Sequence, residues 1–101
     1  MKLLMITAIE AFEKDIKFLL KRCSIINFSY TNVKGHRDFS EESVGDNWFA
    51  SDMNESQSII FYAFVPKEKS DNLFESIKTF NKQQRTSSKV HVVVLNIEKS
   101  N

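Results

Sequence analysis

The sequence predicts an α+β domain of ferredoxin-like βαββαβ order, and three patterns in it support that fold class. Four segments are rich in β-branched and aromatic residues, two segments repeat apolar residues at helical spacing, and one long polar insert separates the second and third predicted strands. In this order, two helices cover one face of a four-stranded antiparallel sheet. The whole chain, residues 1–101, is expected to form one domain, with the insert at about residues 36–57.

The composition narrows the classes of protein to which the chain can belong. With 101 residues, 42% of them hydrophobic, the chain can bury a core without disulfides or metals. Its 14 basic and 13 acidic side chains nearly cancel, which argues against a nucleic-acid partner. The opening apolar run ends at Glu10, too soon for a signal-peptide core or a membrane span, so a soluble cytoplasmic protein is expected.

The predicted strands differ in how their apolar residues are arranged. The first, Lys2–Ile9, is almost continuously apolar, as is typical of a strand covered on both faces. The second, residues 25–33, alternates, with Ile26, Phe28 and Tyr30 on one side. The third, residues 58–65, is rich in strand formers and ends before Pro66, and the fourth, residues 89–98, is apolar on both sides.

The two predicted helices each carry one apolar stripe. The first begins near Glu10, and its stripe comprises Phe12, Ile16, Leu19, Leu20 and Cys23. The second spans residues 67–84, with Ser70 or Asp71 as the expected cap of its first turn and a stripe comprising Leu73, Phe74, Ile77 and Phe80. Two helices cover one sheet face only, although the first and fourth strands are apolar on both. The second face is therefore expected to be buried in a homo-oligomer.

The chain resembles the PII-type signalling proteins over nearly its full length. The resemblance lies in the opening MKLL, the segment TNVKGH at residues 31–36, the strand SIIFYAF and the last strand of valines. It implies a homotrimer with ligand clefts between subunits that bind adenine nucleotides. It also implies a T-loop, here at about residues 36–57, that engages a target protein such as a membrane transporter or an enzyme.

Two departures from that family favour its divergent PII-like members. No tyrosine lies between His36 and Gln57, so the residue that some PII proteins use for uridylylation is absent. Where the family has a glycine-rich phosphate loop, this chain has RTSSKV at residues 85–90, without a glycine that would let backbone amides approach a phosphate closely. Some divergent PII-like proteins are encoded beside heavy-metal efflux pumps or bicarbonate transporters.

Six residues are candidates for binding a small anionic effector, an adenine nucleotide among them, in an intersubunit cleft: Lys34, Gly35, His36, Arg37, Arg85 and Lys89. The adjacent aromatics Trp48 and Phe49 would be costly to leave exposed in a polar loop. They are expected either to anchor a partner protein or to pack back onto the domain, and the sequence favours neither.

Metal binding by a protein resembling the CutA group is the alternative function. His36 precedes the acidic residues Asp38, Glu41, Glu42 and Asp46, and such a set could hold a divalent ion, but an acidic surface loop needs no metal to explain it. Cys23 is a candidate Cu(I) or redox residue, or simply part of the apolar stripe. His91 is either a ligand or a hydrogen-bonded core or interface residue.

No enzymatic motif is present, so the sequence predicts a protein that is not an enzyme. No residue is assigned to a metal site, and a divalent or Cu(I) ion belongs to the alternative function. A scaffold that binds no small ligand is a further possibility.

Overall fold

The computed structural model describes residues 1–36 and 55–101 of the chain. Its elements are β1 (Lys2–Ile9), a short 3-10 helix (Glu10–Phe12), α1 (Glu13–Arg22), β2 (Ser29–His36), β3 (Glu55–Val65), α2 (Lys67–Gln83) and β4 (His91–Asn96). The predicted βαββαβ order is confirmed, and so is the α+β, ferredoxin-like fold class.

The four strands form one antiparallel sheet in the order β2-β3-β1-β4. Leu4 of β1 lies between Ala63 of β3 and Val94 of β4, while Phe61 of β3 lies opposite Tyr30 of β2. Because side chains alternate along a strand, this register sorts every strand residue onto one of two faces. We call the face that packs against the helices the closed face, and the other the open face.

The core lies between the closed face and the two helices. The closed face contributes the buried residues Leu4, Ile6, Ala8, Ile59, Phe61, Ala63 and Val65. The helices contribute Ile16, Leu19, Leu20, Leu73 and Ile77, which are the centres of both predicted stripes. Phe12 and Phe80 close one side of this core with an edge-to-face ring contact at 5.1 Å. Phe74, predicted to belong to the second stripe, is instead exposed beside Val94.

The turn after α1 is a Schellman motif with serine in place of the usual glycine. Ser24 has φ of 60°, and its N–H donates to the Lys21 carbonyl at 3.0 Å. The N–H of Ile25 donates to the Leu20 carbonyl at 2.9 Å. Both bonds satisfy carbonyls at the helix end and drive Ile25 into the core against that end.

The prediction that the second strand spans residues 25–33 is wrong by a few residues, because this turn intervenes. Pairing begins only at Ser29, opposite Tyr62, and continues to His36, opposite Glu55. Ile26, assigned to a half-buried strand face, is 78% exposed. Phe28 does lie beside the core, with its ring 5.8 Å from that of Phe61.

The predicted cap of α2 is also wrong. The helix starts directly after Pro66, whose carbonyl accepts the N–H groups of Lys69 and Ser70, and no side chain caps it. Ser70 is buried, and its hydroxyl donates to the Lys67 carbonyl at 2.7 Å. Asp71 pairs with Lys67 on the surface at 2.8 Å, which raises the pKa of that lysine. Pro66 fixes φ at the residue before the first turn, which orients the chain for the start of the helix.

Candidate functional site

The candidate ligand residues lie at one end of the sheet. Residues 34–36 close β2 at that end, opposite residues 55–57 of β3. Residues 36 and 55–57, placed in the insert by the sequence, are thus paired strand residues. Arg85 and Lys89 precede β4, whose first residue, His91, lies opposite Thr7 near the same end of β1. The sheet therefore brings both groups to a common end.

The same register places the two groups at opposite edges. β2 and β4 are the outer strands, with β3 and β1 between them. Three interstrand spacings of roughly 4.8 Å separate the outer strands by about 14 Å. Within one chain, Lys34 and His36 therefore lie on one side of the sheet end, and Arg85 and Lys89 on the other.

Within the first group, Lys34 and His36 are exposed and Gly35 is buried. Lys34 and His36 belong to the closed face by register, but lie beyond the part of β2 that contacts the core. The candidate ligand Arg37, the candidate partner anchors Trp48 and Phe49, and the acidic residues Asp38, Glu41, Glu42 and Asp46 lie outside the described residues.

Strand β2 is attached to the helical layer by Lys17 and a ring cluster. The ammonium of Lys17 donates to Glu13 Oε2 at 2.7 Å and to Tyr30 Oη at 3.0 Å, and lies 4.2 Å from the Tyr30 ring centroid. The hydrogen bonds to Glu13 and then Tyr30 raise the pKa of Lys17. The Tyr30 ring stacks on Phe61 at 5.3 Å, which orients the strand that leads to Lys34 and His36.

The second group is attached to α2 by Asn81. Its side-chain amide donates to the Val90 carbonyl and accepts the Val90 N–H, both at 2.8 Å, in the manner of a neighbouring strand. Lys89 Nζ donates to the Asn81 carbonyl at 3.2 Å, which holds the lysine close to the end of α2. Arg85 is exposed. Asn81 thus sets where the chain enters β4.

Sequence reasoning did not identify Asn81 or the neighbouring Gln84, which orders the segment before β4. Neither belongs to an apolar stripe or a known motif. The available signal was indirect: the chain must turn between residues 84 and 90 without a glycine or proline, so side chains have to satisfy the backbone groups there.

The open face is largely apolar. Tyr62, Phe64 and Leu95 are exposed on it, and Met5, Ile60 and Val93 are half-buried. A surface groove at its β2 side is lined in part by Ile26, Phe28 and Phe64. Contiguous apolar surface of this kind usually marks an interaction site.

The other candidate residues lie apart from this sheet end or have structural surroundings. Cys23 is half-buried at the end of α1, with its Sγ 3.7 Å from Ser76 Oγ, and packs against the core. His91 is half-buried on the open face, opposite Thr7. Within residues 1–36 and 55–101, no group of three or more histidine, cysteine or acidic side chains could hold a metal ion. Across the same residues, no helix is long and apolar enough to cross a membrane.

Comparison with known proteins gives matches in structure. No protein-family model and no curated protein matches the sequence. CPII, a nitrogen regulatory PII-like protein from Thiomonas intermedia K12 solved with ADP, AMP and bicarbonate, matches with a TM-score of 0.63 and 18% identity over 99% of this chain and 94% of its own. The apo form of CPII matches with a TM-score of 0.61 and 23% identity over 95% and 89%.

A second protein has the same fold. A DUF3240 family protein from Shewanella baltica OS155 matches with a TM-score of 0.66 and 16% identity, over 99% of this chain and 92% of its own. Identities this low establish the fold alone. The chain therefore has the fold of the PII-like proteins, which confirms, at the level of the fold, the resemblance found in its sequence.

Proposed function

We propose that this chain is a PII-like regulatory protein, a cytoplasmic homotrimer without enzymatic activity. It binds a small anionic effector between subunits and acts on a target protein through the T-loop joining β2 and β3. The observation that carries the proposal is the placement of basic residues at one end of the sheet but at its two opposite edges.

Such a split set becomes one site when protomers are arranged head to tail in a ring. A closed ring places one edge of each protomer beside the other edge of the next. Lys34, Gly35, His36 and Arg37 of one protomer then face Arg85 and Lys89 of its neighbour. Each ring of three would contain three such clefts.

The open face supplies the apolar surface for the ring. Tyr62, Phe64 and Leu95 lie exposed in the protomer, and Met5, Ile60 and Val93 complete the patch. Burial of this patch in the trimer would remove its apolar side chains from water, at a gain of about 25 cal/mol for each Å² covered.

The effector is proposed to be an anion of the adenine-nucleotide type. CPII, which has this fold, was solved with ADP, AMP and bicarbonate, all of which are anionic. The exposed side chains of Lys34, His36, Arg85 and Lys89 suit an anionic group. In this chain a phosphate would be held mainly by side chains, because no glycine lies between residues 84 and 90.

The target is proposed to be a protein such as a membrane transporter or a metal efflux pump. Trp48 and Phe49 are the proposed anchors, because large aromatics dominate the binding energy of protein interfaces. Both belong to the proposed T-loop, the segment through which the protein is proposed to contact its target.

Light scattering tests the assembly. We expect a mass three times the 11.7 kDa of one chain. A single-chain mass at micromolar concentration would contradict the proposal.

Thermal shift tests the effector class with ADP, AMP, bicarbonate, Zn²⁺ and Cu(I) as probes. A ligand at 100 times its dissociation constant stabilises the folded state by about 2.7 kcal/mol. We expect stabilisation by an adenine nucleotide. Stabilisation by metals alone would instead support the CutA-like alternative.

Mixed oligomers test whether the cleft joins two subunits. Lys34→Ala and Arg85→Ala should each abolish effector binding, with Lys14→Ala, on the exposed side of α1, as a charge-matched control. Refolding the two defective variants together should restore part of the sites, because some clefts then combine an intact Lys34 with an intact Arg85. A site within one protomer would show no such restoration.

A further inference from the structure

The segment between α2 and β4 is tied together by the side chain of Gln84. This residue follows the last turn of α2, and its own N–H donates to the Phe80 carbonyl at 3.0 Å. Its side-chain Oε1 accepts the backbone N–H of Thr86 at 2.8 Å and also the Thr86 hydroxyl. At the other end of the same side chain, Nε2 donates to the Ser88 carbonyl.

The Thr86 hydroxyl is used twice. Besides donating to Gln84, its oxygen accepts the N–H of Ser88 at 3.3 Å. Two donors of Thr86 therefore converge on one acceptor oxygen, and the acceptor is supplied by the chain itself.

Converging donors beside positive charge are the chemistry of an oxyanion site. Backbone N–H groups in turns form concave anion-binding sites, and hydrogen bonds to a charged oxygen are about twice as strong as neutral ones. Arg85 adjoins Thr86 in the sequence and is exposed, and Lys89, three residues beyond Thr86, is also exposed, with its Nζ donating to the Asn81 carbonyl at 3.2 Å. An oxyanion here would satisfy the two Thr86 donors and these charges together, whereas the neutral amide oxygen of Gln84 satisfies the donors alone.

We propose that Gln84 is an internal occupant of an oxyanion site made by the Thr86 N–H and hydroxyl together with Arg85 and Lys89. An anionic group of the effector binds this segment by displacing the Gln84 side chain. The inference rests on the proposed anionic effector and adds to it a built-in competitor that sets the affinity. The ligand class is a phosphate or similar oxyanion, free or as part of a nucleotide.

Two substitutions at one position should change affinity in opposite directions. Gln84→Ala frees both Thr86 donors, so inorganic phosphate should bind about tenfold more tightly than to the wild type. Gln84→Glu places a permanent carboxylate on the same donors, so phosphate should bind at least about tenfold more weakly. If Gln84 only ordered the segment, both variants would weaken binding. Gln83→Ala, an exposed neighbour in the last turn of α2, is the matched control.

The readout is an NMR titration of the assembled protein with inorganic phosphate, followed at the Thr86 and Ser88 amides. Hydrogen exchange in the absence of phosphate provides a second measurement, because the Thr86 amide should exchange faster in Gln84→Ala than in the wild type. Tighter binding by Gln84→Ala, weaker binding by Gln84→Glu and an unchanged Gln83→Ala are the expected results. Equal affinities in all four proteins, or no response of the Thr86 amide in Gln84→Ala, would overturn the inference.

The same titrations separate this inference from the proposed function. If nucleotide binding depends on Lys34 but is unchanged by substitution of Gln84, the intersubunit cleft is supported and the internal competitor is overturned. The expected phosphate pattern without any binding of adenine nucleotides would support the competitor and contradict the nucleotide effector.

Discussion

The two faces of the sheet can be compared within one strand, at Phe61 and Phe64. Both are phenylalanines of β3, three residues apart, and alternation sends their rings to opposite faces. Phe61 is 1% exposed and packs among the rings of Phe28 and Tyr30. Phe64 is 67% exposed on the open face.

Because the two side chains are chemically identical, the contrast shows that a helix packed over a face, and not the type of side chain, decides which of the two rings is buried. Two helices pack on the closed face, and the residues of its two central strands beneath them are buried: Leu4, Ile6, Ala8, Ile59, Phe61, Ala63 and Val65. On the outer strands of the same face, Tyr30 and Val94 are exposed. The open face carries comparable side chains with no element of the described chain packed over Tyr62 or Phe64. Both helices of the described residues pack on the closed face, and the proposed homo-oligomer would supply a covering layer for the open face.

The largest expected effect comes from truncating the two phenylalanines separately. Phe61→Ala should lower the free energy of unfolding by about 3–5 kcal/mol, because it removes a buried ring and leaves a cavity. Phe64→Ala should change the stability of the dissociated protomer by no more than about 0.5 kcal/mol, since its ring is exposed there. Urea unfolding at a protein concentration low enough to dissociate the assembly measures both.

Each variant is the matched control of the other, because strand, residue type and substitution are the same. Similar losses of stability in the dissociated protomer would show that the open face is not open in the isolated chain. That outcome would remove the main argument for assembly through it.

A charge on the open face should act on assembly and leave the protomer folded. Phe64→Glu would bury a carboxylate in the proposed interface, and we expect the dissociation constant of the oligomer to rise at least about 100-fold. Sedimentation velocity over a range of concentrations measures this, with Lys14→Glu on α1 as the control. An unchanged oligomer would place the interface elsewhere on the molecule.

Much of the fold could be predicted because its signals are local. The first strand, Lys2–Ile9, was predicted with the bounds that the structure shows, since a dense apolar run ends where helical periodicity begins. The buried stripe residues Ile16, Leu19, Leu73 and Ile77 followed from spacing alone. The start of β2 could not be found, because Ser24 adopts positive φ without the glycine that normally signals such a turn.

The candidate site was less predictable, because its geometry depends on strand order. The sequence grouped Lys34 with Arg85, but only the sheet order shows that they lie at opposite edges of one end. The contacts of Asn81 and Gln84 join side chains to backbone groups several residues away, and no periodic pattern encodes them. The roles of Trp48 and Phe49 stay predictions.

A smaller loss of stability is expected where the side chain of Asn81 in α2 binds the backbone next to β4. Asn81 is half-buried, and Asn81→Ala removes both hydrogen-bond partners of the backbone of buried Val90, which should cost about 1–3 kcal/mol. Asn81→Asp keeps the acceptor of the Val90 N–H and should cost less. Thermal unfolding of the two variants measures the difference. Wild-type stability in Asn81→Ala would mean that water replaces the side chain at this site.

The smallest expected effect is a gain in stability at the turn after α1, where one of two neighbouring isoleucines enters the core and the other stays exposed. Ile25 is 3% exposed in the core and Ile26 is 78% exposed beside the open face, and Ser24 makes this possible by adopting φ of 60°. A left-handed conformation costs a residue with a Cβ roughly 1–2 kcal/mol, part of which glycine recovers at such a position.

Ser24→Gly should therefore stabilise the protomer by about 0.5–1 kcal/mol, and Ser24→Ala, which keeps the Cβ, should give no gain. Chemical denaturation of the two variants beside the wild type measures this. Equal stability of the glycine and alanine variants would mean that the turn is not strained. In that case the packing of Ile25 against Leu20, and not the backbone at Ser24, would decide which isoleucine enters the core.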